Sequence, residues 1–134
     1  MILVDTSVLI DYFKGRDTPA VQTFEQILYT GIPYGITEGI YQELLQGART
    51  LKEFKKLKEY LEPLPFFSPL HGSESYEKAA LLAFQCRRRG LTVRGSIDFL
   101  IAEIALENDL SLLHNDRDFE AIARVFPELR SCAF

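Results

Sequence analysis

The sequence is most informative first by what it lacks. Cys86 and Cys132 are its only cysteines; they have no metal-ligand spacing, and a reduced pair of buried or idle thiols is expected. No apolar run approaches the ~20 residues a membrane helix needs, so no membrane span is expected. The two histidines, His71 and His114, are not spaced as a zinc site. There is no glycine-rich phosphate loop and no Gly-x-Ser-x-Gly nucleophile elbow. Nor is there an excess of positive charge: 15 Lys and Arg stand against 19 Asp and Glu, a net charge of −4. That balance argues against binding DNA or membranes by bulk electrostatics. It leaves nucleic acid open as a substrate, because acids gathered in one site would hold cations. No composition break, linker, low-complexity stretch or repeat divides the chain, and one domain over residues 1–134 is expected. Strand-like residues and an acid start at once, with no basic leader, which points to a cytoplasmic protein.

What is present is ordinary globular material, 47% hydrophobic and 25% charged, with a marked start. Ile2-Leu3-Val4 is an apolar run that stops at Asp5. Thr6 and Ser7 can then cap a helix through Val8-Leu9-Ile10 and Tyr12-Phe13. A strand apolar on both faces belongs inside a parallel sheet covered by helices. Thr18-Pro19 and Thr37 read as further helix starts, followed by stripes at Val21, Phe24, Ile27, Leu28 and at Ile40, Tyr41, Leu44, Leu45. A lysine-rich helix should bury Leu51, Phe54, Leu57 and Leu61. Pro63, Pro65 and Pro69 leave only a short edge strand at Leu64 to Phe67. Ser73 opens a helix with Tyr76, Ala79, Ala80, Ala83 and Phe84 on one face. Gly95-Ser96 opens the next, closing near Asn108. Leu110 to Leu113 is a buried strand, Asn115 a cap for a helix bearing Phe119, Ile122, Ala123 and Phe126, and Leu129 to Cys132 a last strand. Strands alternating with helices predict a three-layer α/β/α domain around a parallel sheet of four to five strands.

Four acids do not fit a solvated helix face. Asp5 ends the first strand, and Asp116 follows the strand at Leu110 to Leu113. In such sheets ligands bind outside the carboxyl ends of the strands. Glu43 lies beside the apolar stripe of its helix, and Asp98 interrupts Ile97-Asp98-Phe99-Leu100-Ile101-Ala102. Each alone has a structural reading, as a cap, a dipole partner or a surface acid. Together at one sheet edge they would repel unless cations were bound. Carboxylates, water and phosphate oxygens are the ligands that Mg²⁺ or Mn²⁺ takes.

The stretches Ile2 to Asp11, Tyr41-Gln42-Glu43-Leu44-Leu45-Gln46-Gly47-Ala48-Arg49, Asp98-Phe99-Leu100-Ile101-Ala102 and Leu112-Leu113-His114-Asn115-Asp116-Arg117-Asp118-Phe119 resemble, in that order, the PIN-domain nucleases, and among them the VapC-like toxins of bacterial and archaeal toxin–antitoxin pairs. The resemblance spans nearly the whole chain. It implies Mg²⁺- or Mn²⁺-dependent cleavage of RNA, a dimeric α/β/α fold, and a cognate VapB-like antitoxin that blocks the site. The family's acids carry over to Asp5, Glu43, Asp98 and Asp116, with Thr6 and Ser96 as supporting partners and Asp118 as a supplement to Asp116. Family members often carry Thr or Ser where this chain has His114.

On this reading, metal-activated water attacks the phosphate, and basic residues guide the RNA backbone. Arg87, Arg88, Arg89 and Arg94 are the candidates, although a charge run at a helix end also suits the helix dipole. A phosphoacceptor receiver domain shares strand-end acids, but it needs a nucleophilic Asp at a middle strand end and a Lys after a late one, and neither is supplied. A catalytically inactive PIN-like RNA-binding or adaptor domain would keep the fold and lose acids, whereas all four are present.

Overall fold

The structure, a computed structural model, describes residues 1–93 and 95–132. Its elements are β1 (Ile2–Val4), α1 (Thr6–Phe13), α2 (Pro19–Thr30), β2 (Tyr34–Thr37), α3 (Glu38–Gln46), α4 (Leu51–Leu61), β3 (Phe66–Phe67), α5 (Ser73–Arg88), α6 (Ser96–Glu107), β4 (Ser111–Leu113) and α7 (Arg117–Val125). The strands form one sheet in the order β3-β2-β1-β4, parallel at every pairing. Helices cover it on both faces: α1 packs on α2 and α3, and α3 on α4, while α5, α6 and α7 pack on one another. The expected three layers are therefore present.

Successive connections step from β1 to β2 to β3 in one direction, and the next returns across the sheet to β4 on the far side of β1. The strand order thus reverses between β1 and β4, where an open parallel sheet has its ligand crevice. The two strands are in register, with Ile2 opposite Ser111, Leu3 opposite Leu112 and Val4 opposite Leu113. The Asp5 N–H continues the pairing onto the Leu113 carbonyl at 2.9 Å. Leu3, Val4, Leu112 and Leu113 are buried, as expected of strands covered on both faces. The last stretch, Leu129 to Cys132, is not a full strand. It contributes a parallel bridge between Leu112 and Ser131, held by bonds from Leu112 N–H to Arg130 O and from Cys132 N–H to Leu112 O, both 2.8 Å.

Caps explain most of the helix starts. Thr18 Oγ1 accepts from Val21 N–H, Thr37 Oγ1 from Ile40 N–H and Thr50 Oγ1 from Glu53 N–H, each at 3.1 Å, satisfying donors that the first helical turn leaves free. Two starts fall elsewhere than expected. The cap of α1 is Asp5 rather than Thr6 or Ser7, and the cap of α7 is Asp116 rather than Asn115. In both places a carboxylate beats a neighbouring neutral group, as the positive end of the helix dipole favours. The inward face of α5 also differs. Ser75, Ala79, Leu82 and Cys86 are buried, while Tyr76 and Phe84 are exposed. On α4 only Leu61 is buried; Leu51 and Phe54 face outward. Both cysteines are free, Cys86 in the core and Cys132 half-buried. Among the described residues no helix is long and apolar enough to cross a membrane.

Candidate functional site

The reversal point gathers the acids. Asp5 comes from the end of β1, Glu43 from α3, Asp98 from the first turn of α6, and Asp116 and Asp118 from the start of α7. One carboxylate oxygen each from Asp98, Asp116 and Asp118 lies within 4.8 Å of the others. Asp118, which the sequence ranked as a supplement, thus stands in the tightest part of the group. Asp5 is buried behind it and Glu43 is exposed on its helix.

The charges are felt in the ionisation of the group. Burial pushes the Asp98 carboxyl up to about 7, and the negative charges of Asp5, Asp116, Asp118 and Glu43 push the same way. Burial also raises Asp5; hydrogen bonds from Ser7 and Thr6 offset part of this, and Glu43 adds to it. In contrast, burial holds His114 below its ordinary value against the pull of Asp5, Glu120 and Asp116. The charges of all five acids thus bear on one region.

Hydrogen bonds fix the acids in place. Asp5 Oδ2 accepts from the Ser7 N–H at 3.1 Å and from the Ser7 hydroxyl at 2.7 Å. Asp116 Oδ1 accepts from the Asp118 N–H at 2.9 Å, so this acid caps α7 with one oxygen and has the other free of that task. His114 Nδ1 accepts from the Asp116 N–H at 3.3 Å, its Nε2 reaches Ser131 Oγ at 3.3 Å, and its ring tilts on Phe119 at 5.2 Å. Gly95, the residue before α6, gives Asp98 its room: a Cβ there would stand 3.0 Å from Asp98 Oδ2.

The supporting residues are placed less uniformly. Thr6 is buried and its Oγ1 has no hydrogen-bond partner; Ser7, which the sequence did not single out, holds Asp5 instead. The signal was available in Asp-x-Ser at a helix start, where a capping carboxylate meets the N–H two residues on. Ser96 is the exposed first residue of α6. Arg87 and Ser96 both line a groove of about 620 Å³ between α5 and α6, with Val93 and Ile97. Arg88 and Arg89 turn toward Val125 and Phe126 instead, and the Arg88 guanidinium sits 5.9 Å over the Phe84 ring. Arg94 lies outside the described residues.

The donor set suits a hard divalent cation. It consists only of carboxylate oxygens, with no thiolate or paired imidazole that would favour a softer metal. The oxygens of Asp98, Asp116 and Asp118, all within 4.8 Å of one another, are the ones that would hold such an ion. The orphaned Thr6 hydroxyl beside Asp5 is a further polar atom without a partner.

Known proteins carry the same pattern. The PIN domain family matches residues 2–125. A VapC ribonuclease of Mycobacterium bovis is 31% identical over 93% of this chain and 93% of its own length, as is Ribonuclease VapC11 of Mycobacterium tuberculosis. Ribonuclease VapC2 of Mycobacterium tuberculosis is 29% identical over 90% of this chain and 84% of its own length. Among solved structures, a crystal structure of VapBC2 from Rickettsia felis bound to a promoter DNA fragment superposes with a TM-score of 0.74 at 18% identity, covering 100% of this chain and 99% of that one. The strand order, the acids at its reversal and these matches agree: the chain belongs to the PIN-domain family, among its VapC-like members.

Proposed function

We propose that this chain is a Mg²⁺- or Mn²⁺-dependent endoribonuclease, the toxin of a pair whose antitoxin is a VapB-like protein, acting in the cytoplasm as a single domain over residues 1–134. The observation that carries it is the meeting of Asp98, Asp116 and Asp118 oxygens within 4.8 Å, with Asp5 and Glu43 adding their charge. Relatives named as VapC ribonucleases support the substrate. The VapBC2 neighbour supports a protein partner of the antitoxin kind.

Asp5, Asp98 and Asp116 would be the cation ligands, joined by Asp118; exposed Glu43 would complete the site from α3. A bound divalent cation lowers the pKa of its water and polarises a phosphate oxygen. The protein's part is placement. Ser7 holds the Asp5 carboxylate, and the α7 cap holds Asp116. The Asp98 carboxyl, pushed up to about 7 by burial and its acidic neighbours, would release its proton to solvent where a cation was bound. Arg87, on the groove wall beside Ser96, is the arginine that would meet the RNA backbone there, whereas Arg88 and Arg89 line a separate hollow with Val125 and Phe126. No side-chain nucleophile is required, so products should carry a 5′-phosphate and a 3′-hydroxyl.

The test is incubation with single-stranded RNA and with total RNA, followed by mapping of the ends. Cleavage with Mg²⁺ or Mn²⁺, abolished by chelator and giving those ends, is the expected result. Bound but uncut RNA in every metal condition would return the non-catalytic adaptor to first place.

A further inference from the structure

The turn between β4 and α7 carries Asp116, leads into Asp118, and is tied to α1 through Ser7 and through Asp11 and Asn115, two side chains that the proposed chemistry does not use. Ser7 Oγ donates to Asp5 Oδ2 at 2.7 Å and accepts from the Asn115 N–H at 3.0 Å. The Asn115 side chain then reaches in a different direction, donating from Nδ2 to Asp11 Oδ2 at 3.3 Å. The other oxygen of Asp11 accepts from the Arg16 guanidinium at 3.0 Å. The Arg16 N–H returns to the Asp11 carbonyl at 2.9 Å, closing the turn after α1 around it. Asp11 is buried, only 9% exposed, and a buried carboxylate is costly unless paired and hydrogen-bonded. Its two partners here are the Arg16 cation of the turn after α1 and the amide of the turn that bears the acids.

We propose that Asp11 and Asn115 are positioning residues: they set the spacing between α1, capped by Asp5, and the turn that presents Asp116 and Asp118. The inference rests on reading the acid group as a cation site. Physically, like charges meeting within 4.8 Å repel one another in the cation-free protein, and a tether on the turn that bears two of them opposes that repulsion. His114 holds the turn from the α7 side through the Asp116 N–H, and Asn115 holds it from the α1 side. The backbone and side chain of Asn115 are engaged separately, so removing the side chain leaves the bond to Ser7 in place. Partners that orient metal ligands in this way typically contribute 10- to 100-fold in metal affinity.

The experiment takes the full chain as wild type, Asp11→Ala, Asn115→Ala, the double variant and Asp11→Asn. Mn²⁺ affinity is read by titration calorimetry, amide hydrogen exchange at residues 115–118 without metal, and thermal midpoint as the control. Each alanine variant should weaken Mn²⁺ binding about 10-fold and speed exchange at the Asp116 and Asp118 amides. The double variant should be no worse than the weaker single, because the two side chains act as one unit. Asp11→Asn keeps an acceptor for Asn115 and should bind Mn²⁺ within a few fold of wild type. Wild-type Mn²⁺ affinity in both alanine variants, with only the midpoint lowered, would make the pair merely structural and overturn the proposal. Additive losses in the double variant would overturn it equally. Should the wild type take up no Mn²⁺ while exchange quickens alike in the singles and the double, the tether stands and the cation reading falls.

Discussion

Asp98 and Glu103 lie on the same helix, and both hold a proton to about pH 7, for different reasons. Asp98 is half-buried among like charges. Glu103 is buried beside Glu107, to which its protonated form donates; Glu107 also takes the Leu70 N–H at 2.8 Å and the Ser75 hydroxyl at 2.9 Å. Lys78 opposes the shift of Glu103 weakly, and His71 faces Glu107. In each case the folded state keeps a proton that the unfolded chain has lost above the ordinary carboxylate pKa. Stability of the metal-free protein should therefore fall as pH rises from about 4.5 to about 7 and level off above. Glu103→Gln can still donate to Glu107, and it removes one titrating group. It should raise the thermal midpoint at pH 8 and change it little at pH 5, measured in chelator across the pH range. Asp98→Asn should likewise raise the midpoint in chelator at pH 8, by deleting one repelling charge. It should also lower metal-dependent RNA cleavage by more than the ~100-fold that loss of a supporting contact can cost; cleavage at the wild-type rate would remove Asp98 from the site. Asp98 was legible in the sequence because it broke an apolar stretch. The link from Asp11 to Asn115 was not, because acid and amide side chains near turns have many local uses and only the β1–β4 adjacency brings these two together.

At the scale of elements, threonine and proline announced α2 and α3 correctly, and the three prolines after α4 left β3 only two residues. What periodicity could not say is which stripe would be covered. The α4 pattern correctly puts Leu51, Phe54, Leu57 and Leu61 on one side, yet only its last turn reaches the core, and Leu51 is 68% exposed. Alternating capping candidates misled by one residue at Thr6 and Asn115, since hydroxyl, amide and carboxylate all cap and the dipole decides between them. The sheet edge offers a sharp test. At Gly35 on β2, an added Cβ would run into the Pro65 carbonyl oxygen and, at 2.6 Å, the Phe67 ring of β3. Backbone cannot yield there, so Gly35→Ala should destabilise by about 1–3 kcal/mol, read as a shift in denaturation midpoint with unchanged m-value. Wild-type stability in that variant would mean that β3 is not seated as described.

At the scale of the molecule, apolar runs alternating with helical stripes predict the three-layer architecture, and Asp5 and Asp116 mark where two of those runs, β1 and β4, stop. Assembly is written more faintly. Tyr29 is 93% exposed on α2 and Leu51 and Phe54 face outward on α4, more apolar surface than two outer helices need for one core, and surface of this kind marks interfaces. We expect a two-fold homodimer in sedimentation at micromolar concentration, shifted toward monomer by Leu51→Glu; wild type sedimenting only as monomer would count against it. Charge bears on the central claim. A chain with net charge −4 is proposed to act on a polyanion, and this is consistent only if cations occupy the acids of the β1–β4 crevice. The most direct measurement is RNA affinity of the Glu43→Gln chain, slowed in cleavage, across a titration of Mg²⁺ or Mn²⁺ at fixed ionic strength. Affinity should rise as the cation is added. Affinity that is greatest in chelator and falls steadily with metal, as screening of a simple basic groove would give, would contradict the account.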